Sequence, residues 1–310
     1  MSDIKELIRK YDLSSKDYHY MGNARILDTK HGKLVIKKKT LENKDEMYEY
    51  LKIRGFHHFL PNKWADDHYE VYPFVEEIKL PNEQKAIDIM IMMSMLHNKT
   101  TFYKEIDLDD VKETYEHYHK KIMDLMEYYH SMQDIIETKI YYAPNEYLLI
   151  RNISSIYLSL DYSLNRLNLW YDEKVKQSKQ RNVLLHNKLY IDHLVIGESS
   201  SLISWDDAKY DIPIYDFLNF YKKEYLNLEM NSLFDIYQSK YQYTKDEFYL
   251  FSALITIPDK VILKKEYYQN TYEVLRLIKY IDLTRQFILK EQQKRPETQE
   301  QKLNEQDNGM

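Results

Sequence analysis

The sequence predicts an α+β protein in which a small, β-rich N-terminal part is followed by a larger helical part. Up to residue 75, short runs of apolar and β-branched residues alternate with turn residues, as in strands and hairpins. From residue 82 onward, apolar residues recur at spacings of three and four, as on one face of a helix. The 310 residues, 44% of them hydrophobic, suffice for one large domain or two lobes. We predict an N-terminal lobe over 1–78, a helical lobe over 79–289 and a disordered tail over 290–310.

The N-terminal part begins with a predicted short helix at residues 3–11. A hairpin follows, because His31-Gly32 is a plausible turn pair between the segments ARILDT and KLVIK. Residues 42–54 then repeat apolar side chains at helical spacing, and Gly55 is suited to end this helix as its C-cap. Two further strand candidates complete the predicted sheet, at 59–61 and 66–75.

The helical part contains two long amphipathic helices that are predicted to pack antiparallel. The first follows a capping aspartate, Asp107 or Asp109, and its pattern is broken at Pro144. Beyond residue 290 almost no apolar residues remain, so the tail cannot offset its ordering entropy. The predicted helices are 82–97, 109–137, 145–176, 215–226, 231–240, 245–257 and 271–289.

Composition argues against several classes of function. The net charge of −6 argues against binding to a nucleic-acid backbone, and the absence of cysteine excludes disulfides and thiolate chemistry. The N-terminus lacks the apolar core of a signal peptide, and the longest apolar run, 87–97, is too short to span a bilayer. We therefore predict a cytoplasmic protein without a membrane span. His117 and His119 point away from each other on a helix, which disfavours a zinc site.

Candidate site residues concentrate in the stretch 183–217. Two short apolar runs there flank a loop that is rich in His, Asp and Lys, a common way to build a site. Asp206 and Asp207 follow Trp205 at a strand end, where paired carboxylates either hold Mg²⁺ against a phosphate or cap the next turn.

Lys37 is a candidate outside that stretch. It ends the run Leu34-Val35-Ile36-Lys37, and at the end of a central hairpin strand its side chain can reach a phosphate. The acidic helix that follows offers an ion-pair partner, for which Glu46 is preferred and Glu42 is the alternative. The competing interpretation is that Lys37 lies at a solvated strand end.

The order of these pieces resembles the aminoglycoside phosphotransferase and choline kinase branch of the protein-kinase-like fold over residues 10–285, and within it the bacterial spore-coat-associated kinase-like proteins. The resemblance implies a two-lobed fold with a small β-rich N-lobe and a large helical C-lobe. It implies that Lys37 and Glu46 hold nucleotide phosphates, and that 66–75 is the hinge strand, with Val71 and Val75 beside the nucleotide. The family's helix end "lxxLHxxT" is similar to residues 95–100, Met-Leu-His-Asn-Lys-Thr.

The family's catalytic loop reads HGDLHPGN followed by two apolar residues, and residues 186–195 match its framework, with His186 in first place. Lys188 stands where the family has its catalytic Asp, and His193 stands at the metal-binding Asn. Ser204 stands at the Mg²⁺-binding Asp of the next strand, directly before Trp205. Asp216 matches the Asp that braces the catalytic loop in this family. The structural residues Trp205 and Asp216 are thus retained, and three chemical residues are changed.

These changes decide what the resemblance implies about function. Phosphoryl transfer depends on Mg²⁺ and on a carboxylate that orients the acceptor hydroxyl. Lys188 repels Mg²⁺, Ser204 is a poor ligand for it, and His193 prefers softer metals. We therefore predict a catalytically degenerate kinase-fold protein, a pseudokinase that acts by ligand binding or regulation. Its implied cofactor is ATP, and Mg²⁺ is not expected.

Two alternatives stay open at this point. The chain is an active ATP-dependent phosphotransferase on a small hydroxyl or amino compound if Asp192 and Asp206 act in displaced roles. It is a structural or interaction protein if the cleft is closed. Lys188 either binds an anion, or pairs with Asp192, Asp206 or Asp207. The predicted partner is accordingly a small molecule, a nucleotide or a protein.

Overall fold

The computed structural model describes residues 18–21, 24–29, 32–41, 43–66, 68–262 and 267–295. The predicted helix at 3–11, His31, Glu42 and residues 296–310 of the predicted tail lie outside the described residues. Two compact units are present, and the chain passes between them more than once. The first contains the described residues up to Thr100 together with Leu184–Tyr210, and the second contains Thr101–Val183 and the described residues from Asp211 onward. The predicted lobe boundary at residue 78 stays a prediction.

A five-stranded antiparallel sheet forms the N-terminal part of the first unit. Its order is β1-β2-β3-β5-β4. Alternate residues of the three central strands point to one face, where Leu27, Leu34, Ile36 and Val71 form a buried cluster. Gly32 has a φ of 104°, so the β2–β3 turn uses a backbone region that favours glycine. The strands are β1 Tyr18–Met21, β2 Ala24–Thr29, β3 Gly32–Lys38, β4 Trp64–Ala65 and β5 Tyr69–Pro73.

The helix predicted after β3 is present as α1, Lys44–Ile53, and Gly55 follows it with a φ of 73°, as expected for a residue that ends a helix. The strand predicted at 59–61 is wrong. Phe59 forms only an isolated bridge to Leu202, because the segment meets a single residue of another strand and Pro61 has no N–H to extend a ladder. The next helix, α2, spans Asn82–Thr100.

The later part of the first unit is a small hairpin between two short helical turns. Strands β8, Leu194–Ile196, and β9, Ser200–Leu202, pair antiparallel. One 3₁₀ turn, Ile191–His193, precedes the hairpin, and a second, Trp205–Asp207, follows it. The backbone N–H of Ile78 donates to the carbonyl of Ile196 at 2.7 Å, which ties the segment after β5 to β8.

The second unit consists mainly of helices. The two long helices predicted from periodicity, α3 and α4, are present and pack together. Asp107 caps α3 by accepting a hydrogen bond from the N–H of Asp109 at 2.9 Å. Strand β6 pairs with β7. The elements are β6 Phe102–Glu105, α3 Leu108–Glu137, α4 Pro144–Lys174, β7 Lys179–Leu185, β10 Lys209–Asp211, α5 Ile214–Glu224, α6 Met230–Lys240, α7 Lys245–Thr256 and α8 Tyr267–Gln293; β7 and β10 cross the division between the units.

Several helix ends differ from the prediction by a few residues. Helix α3 ends at Glu137, as predicted, and Pro144 is the first residue of α4, where a missing N–H costs nothing. Helix α8 continues to Gln293, beyond the predicted start of the tail at 290. Its last turn is stabilised by Lys294, whose Nζ lies 2.6 Å from Asp235 and 2.7 Å from Glu291.

Aromatic side chains form the core of the second unit. Phe234 is fully buried, and its ring centroid lies 4.7 Å from that of Phe217 and 5.3 Å from that of Phe251. Tyr237 and Tyr243 pack against the same rings, which accounts for part of the high tyrosine content. Among the helices of the described ranges, none combines the length and the apolar character that a membrane crossing needs.

We expect Phe234→Ala to lower the free energy of unfolding by about 3–5 kcal/mol, because it leaves a cavity among several rings. Ile140→Ala is the control, since Ile140 is 90% exposed and its loss should change the free energy by less than about 0.5 kcal/mol. Urea unfolding of both variants tests this. Equal losses for the two would contradict the aromatic core.

Candidate active site

The candidate site lies within the first unit and begins with Lys37 on β3. Its Nζ donates a hydrogen bond to Ser204 Oγ at 2.7 Å and lies 3.7 Å from Asp206 Oδ2. Burial lowers the pKa of Lys37, and the neighbouring carboxylate of Asp206 works against that shift. Lys37 is thus not a solvated strand end, because its side chain is only 20% exposed and contacts the turn that follows β9.

A second lysine, which the sequence analysis missed, lies beside it. Lys44 is the first residue of α1, and its Nζ lies 2.6 Å from Glu70 Oε2 and 2.7 Å from Asp206 Oδ1. Two hydroxyls complete the network: Tyr72 donates to Glu70 at 2.8 Å, and Thr40 donates to Asp206 at 3.2 Å. Lys44, Glu70 and Tyr72 are all buried, so this is a polar cluster inside the unit.

The predicted ion pair between Lys37 and Glu46 does not form. Glu46 is exposed, and within the described part of the chain no ion pair joins it to Lys37. Glu46 follows Lys44 by two positions on α1, which is more than half a helical turn, so the two side chains leave the helix in different directions. Two sequence features could have pointed to the observed network: Lys44 at the start of the helix, and Glu70, which lies opposite Lys37 on the neighbouring strand.

The loop that the sequence analysis matched to the family's catalytic loop, residues 186–195, begins at His186. His186 is fully buried, its Nε2–H donates to the carbonyl of Ile203 at 2.9 Å, and its ring centroid lies 4.6 Å from that of Trp205. The indole N–H of Trp205 donates to the carbonyl of Leu202 at 2.9 Å. The two rings and the carbonyls that they contact hold the loop against the end of β9.

Two residues of the site have strained backbones. Among the described non-glycine residues, only Asn187 and Ser204 have positive φ angles, of 62° and 67°. Asn187 stands at the glycine position of the HGD pattern, and asparagine tolerates the left-handed region better than most residues. Ser204 has less intrinsic tolerance, and its hydroxyl is held by Lys37. Strained backbone of this kind clusters at functional sites.

Lys188, at the position of the catalytic Asp, pairs with Asp207. The Nζ–Oδ2 distance is 3.1 Å, and both side chains are about half exposed. The hydrogen bond to Asp207 and the charge of its carboxylate raise the pKa of Lys188, so the group stays cationic. A charged ammonium accepts no proton, and therefore Lys188 cannot replace an aspartate as an acceptor.

His193, at the position of the metal-binding Asn, donates from Nδ1 to the backbone carbonyl of Lys188. Burial lowers the pKa of His193, although the carbonyl acts in the opposite direction. Its ring lies near those of His186 and Tyr190, with centroids 5.8 and 4.9 Å away. The imidazole thus serves the conformation of the loop.

The remaining predicted residues lie apart from the lysine network. Asp192 is exposed on the 3₁₀ turn before β8, and no ion pair reaches it among the described residues. Val71 is buried in the sheet cluster, and Val75 packs where a side chain on Gly197 would clash with it. Asp216 is fully buried in the first turn of α5, in the second unit. The roles given to these residues stay predictions.

Magnesium, which the family resemblance implies, does not fit the residues that are present. The described part of the chain contains no cluster of three or more His, Cys, Asp or Glu that could hold a metal. Ser204 hydrogen-bonds Lys37, and the carboxylate two positions later, Asp206, accepts from Lys44 and Thr40. Burial favours a raised pKa for Asp206, but the hydrogen bond and charge of Lys44 outweigh it and lower the pKa. Its carboxylate is therefore an anion already neutralised by lysine.

A separate groove of about 620 Å³ lies in the second unit, between α4 and α8. Its walls include Ile156, Leu158, Leu275 and Ile288. None of the predicted site residues lines it, so we place the candidate site at the lysine network and not in this groove.

We expect Asp206→Asn to lower the free energy of unfolding by about 2 kcal/mol at neutral pH, because a charged hydrogen-bond partner of buried Lys44 is lost. The pKa of Asp206 is lowered from its ordinary value of 3.8, so its stabilisation is complete above that pH and fades as the pH falls below it. The difference between wild type and variant should therefore shrink below pH 3.8 in urea titrations.

Asp207→Asn is the matched control, since it removes the adjacent carboxylate from an exposed pair and should cost less than about 1 kcal/mol. A difference that persists unchanged in acid, or an equal cost for both variants, would contradict this account of Asp206.

No protein-family model matches the sequence, and no curated protein matches it. Solved structures match over most of the chain. The aminoglycoside phosphotransferase from Alicyclobacillus acidocaldarius aligns with a TM-score of 0.64 at 13% identity, over 90% of this chain and 91% of that one. An AMP-bound spectinomycin phosphotransferase gives 0.57 at 14%, over 91% and 97%. Choline kinase from Streptococcus pneumoniae gives 0.50 at 17%, over 90% and 98%.

Likeness at these identities concerns the fold. A small antiparallel sheet is followed by a larger helical part in the order that the sequence predicted, and the predicted fold class is confirmed. The chain therefore has the protein-kinase-like fold of the aminoglycoside phosphotransferases and choline kinase.

Proposed function

We propose that this kinase-fold protein is a pseudokinase that binds a nucleotide or another phosphate-bearing small molecule and acts by that binding, without transferring a phosphoryl group. The proposal is carried by one observation. Asp206, the carboxylate nearest to the lost metal position, is held by two lysines and a threonine and is not open to a metal ion.

The other groups of the site support the loss of transfer. In-line phosphoryl transfer needs a carboxylate near the acceptor and a divalent ion between the phosphates. The first position holds Lys188, a cation paired with Asp207, and Ser204 replaces a carboxylate at the second. Each loss would be expected to reduce the rate by orders of magnitude, since charge stabilisation is the main contribution of such sites.

Two observations support ligand binding. Lys37 remains 20% exposed and keeps its ammonium group next to Ser204, a short neutral residue from which a phosphate oxygen can take over the hydrogen bond. One solved structure with this fold is an AMP-bound complex. An adenine nucleotide is therefore the first ligand to test, and we propose a regulatory role in a bacterial cytoplasm.

The alternative of an active phosphotransferase requires Asp192 and Asp206 to act together. Asp192 is exposed and belongs to a different turn, whereas Asp206 is engaged by Lys44. The alternative of a structural or protein-binding role requires that no nucleotide binds. Neither is favoured by a specific contact, and the experiments below separate all three.

We expect AMP, ADP or ATP to raise the melting temperature by roughly 5 °C at about 100 times Kd, because a ligand that binds only the folded state stabilises it. The shift should be the same with Mg²⁺ and with EDTA. Lys37→Ala should abolish it, and Lys38→Ala, the exposed neighbour on the other face of β3, should not. Absence of any shift in wild type would instead support the structural role.

We expect no Mg²⁺-dependent phosphate transfer from ATP to a panel of small hydroxyl and amino compounds, at enzyme concentrations high enough to detect a single turnover. Transfer that requires Mg²⁺ and is lost in Lys37→Ala would overturn the proposal. Additional loss of that transfer in Asp192→Ala and Asp206→Ala would establish the active-enzyme alternative.

A further inference from the structure

We infer that Glu70 and Asp206 form a cation site whose resident cation is the protein's own Lys44 ammonium group, in place of a divalent metal ion. The Lys44 Nζ lies 2.6 Å from Glu70 Oε2 and 2.7 Å from Asp206 Oδ1. The inference concerns the cation of the site. It goes beyond the proposed function and does not depend on any nucleotide being bound.

The location of Lys44 is unfavourable for a positive charge in two respects. The residue is only 1% exposed, and a buried ammonium loses its hydration. It is also the first residue of α1, where the helix dipole favours anions and disfavours cations. A lysine that serves only packing or solubility gains nothing at such a position. The two carboxylates are what stabilises it there.

The surroundings of the ammonium have the composition of a site for a hard cation. Its hydrogen-bond acceptors are three oxygens: one from each carboxylate, at 2.6 and 2.7 Å, and the Tyr72 hydroxyl at 3.5 Å. The carboxylates are themselves oriented, since Tyr72 donates to Glu70 and Thr40 donates to Asp206. Calcium–oxygen distances are about 2.3–2.6 Å, so an ion at the position of Nζ would draw these oxygens in only slightly.

Wild-type protein should not hold a divalent ion here as well. A second cation beside a buried ammonium would meet strong repulsion at short range in a medium of low dielectric constant. Lys37 adds a further positive charge 3.7 Å from the other oxygen of Asp206. The negative charges of Glu70 and Asp206 are therefore already balanced by the ammonium groups of Lys44 and Lys37.

Removal of the ammonium should expose the site. Without Lys44, the Glu70 and Asp206 oxygens that contacted its ammonium group would carry like charges close to each other. The Glu70 carboxylate is also fully buried. A divalent cation that binds the same two carboxylates can neutralise their charge, and water can supply its remaining ligands. Lys44→Met, which keeps the length of the side chain and removes its charge, should therefore gain a metal site.

The test compares wild type with Lys44→Met in the absence of nucleotide. Melting temperatures are measured with Mg²⁺, Mn²⁺ or Ca²⁺, against KCl at equal ionic strength, and bound Mn²⁺ is counted by equilibrium dialysis. Lys52→Met is the matched control, because Lys52 lies on the same helix with its side chain 45% exposed and paired only with Glu49 among the described residues. Lys44→Met/Asp206→Asn removes one of the two carboxylates.

We expect Lys44→Met to melt below wild type and to regain roughly 5 °C or more at saturating Mn²⁺ or Ca²⁺, with one ion bound per chain. Wild type, Lys52→Met and the double variant should show neither effect. The inference is overturned if wild type binds one Mn²⁺ that Asp206→Asn removes, or if folded Lys44→Met binds none. If Lys44→Met folds only when the ion is added, the inference is supported, and failure to fold in both conditions overturns it.

The outcome is separable from that of the proposed function, since it is read without nucleotide. A protein that shows no nucleotide binding can still gain the metal site in Lys44→Met, and a protein that binds nucleotide can fail to gain it.

Discussion

The Lys44 ammonium group, held between Glu70 and Asp206, is the interaction on which the arrangement of the site depends. It joins the start of α1, strand β5 and the turn after β9, three elements that are far apart in the chain. Removing one partner of a buried ion pair costs about 3–5 kcal/mol, because the other charge is left without compensation. The position of Asp206, set by Lys44, in turn accounts for its proximity to Lys37, which also hydrogen-bonds Ser204.

The loop 186–195, which the sequence resemblance matches to the catalytic loop of kinase-like phosphotransferases, is held by buried contacts. His186 and Trp205 are buried with their rings in tilted contact, and Ser204 has a left-handed backbone that costs about 1–2 kcal/mol. Lys188, which the resemblance places at the catalytic Asp, forms an exposed ion pair with Asp207. Lysine ammonium groups, those of Lys188 and Lys44, thus pair with the carboxylates of Asp207 and Asp206 in this part of the chain. The proposed binding of a phosphate-bearing ligand without phosphoryl transfer depends on these pairings.

Much of the fold was predictable because the information is local. The helical periodicity of α3 and α4 and the glycine that follows α1 each depend on residues within a few turns of one another. The predictions failed where a distant partner decided the outcome. Phe59 meets one residue of β9 and forms no strand, and the end of α8 is extended by contacts that Lys294 makes with Asp235. Neither partner could be identified from the neighbouring sequence.

The sequence by itself determined the fold class and the order of most helices and strands, since these follow from residue type and local pattern. Only the tertiary structure decided which charges meet. Lys44 and Asp206 are separated by 162 positions, and their pairing depends on how α1 and the turn after β9 are packed. The acidic residues of α1 made Glu46 a reasonable partner for Lys37, but the helix turns it outward. Which charges pair inside a protein depends on the direction in which each side chain points and on how deeply it is buried. The local sequence does not specify either.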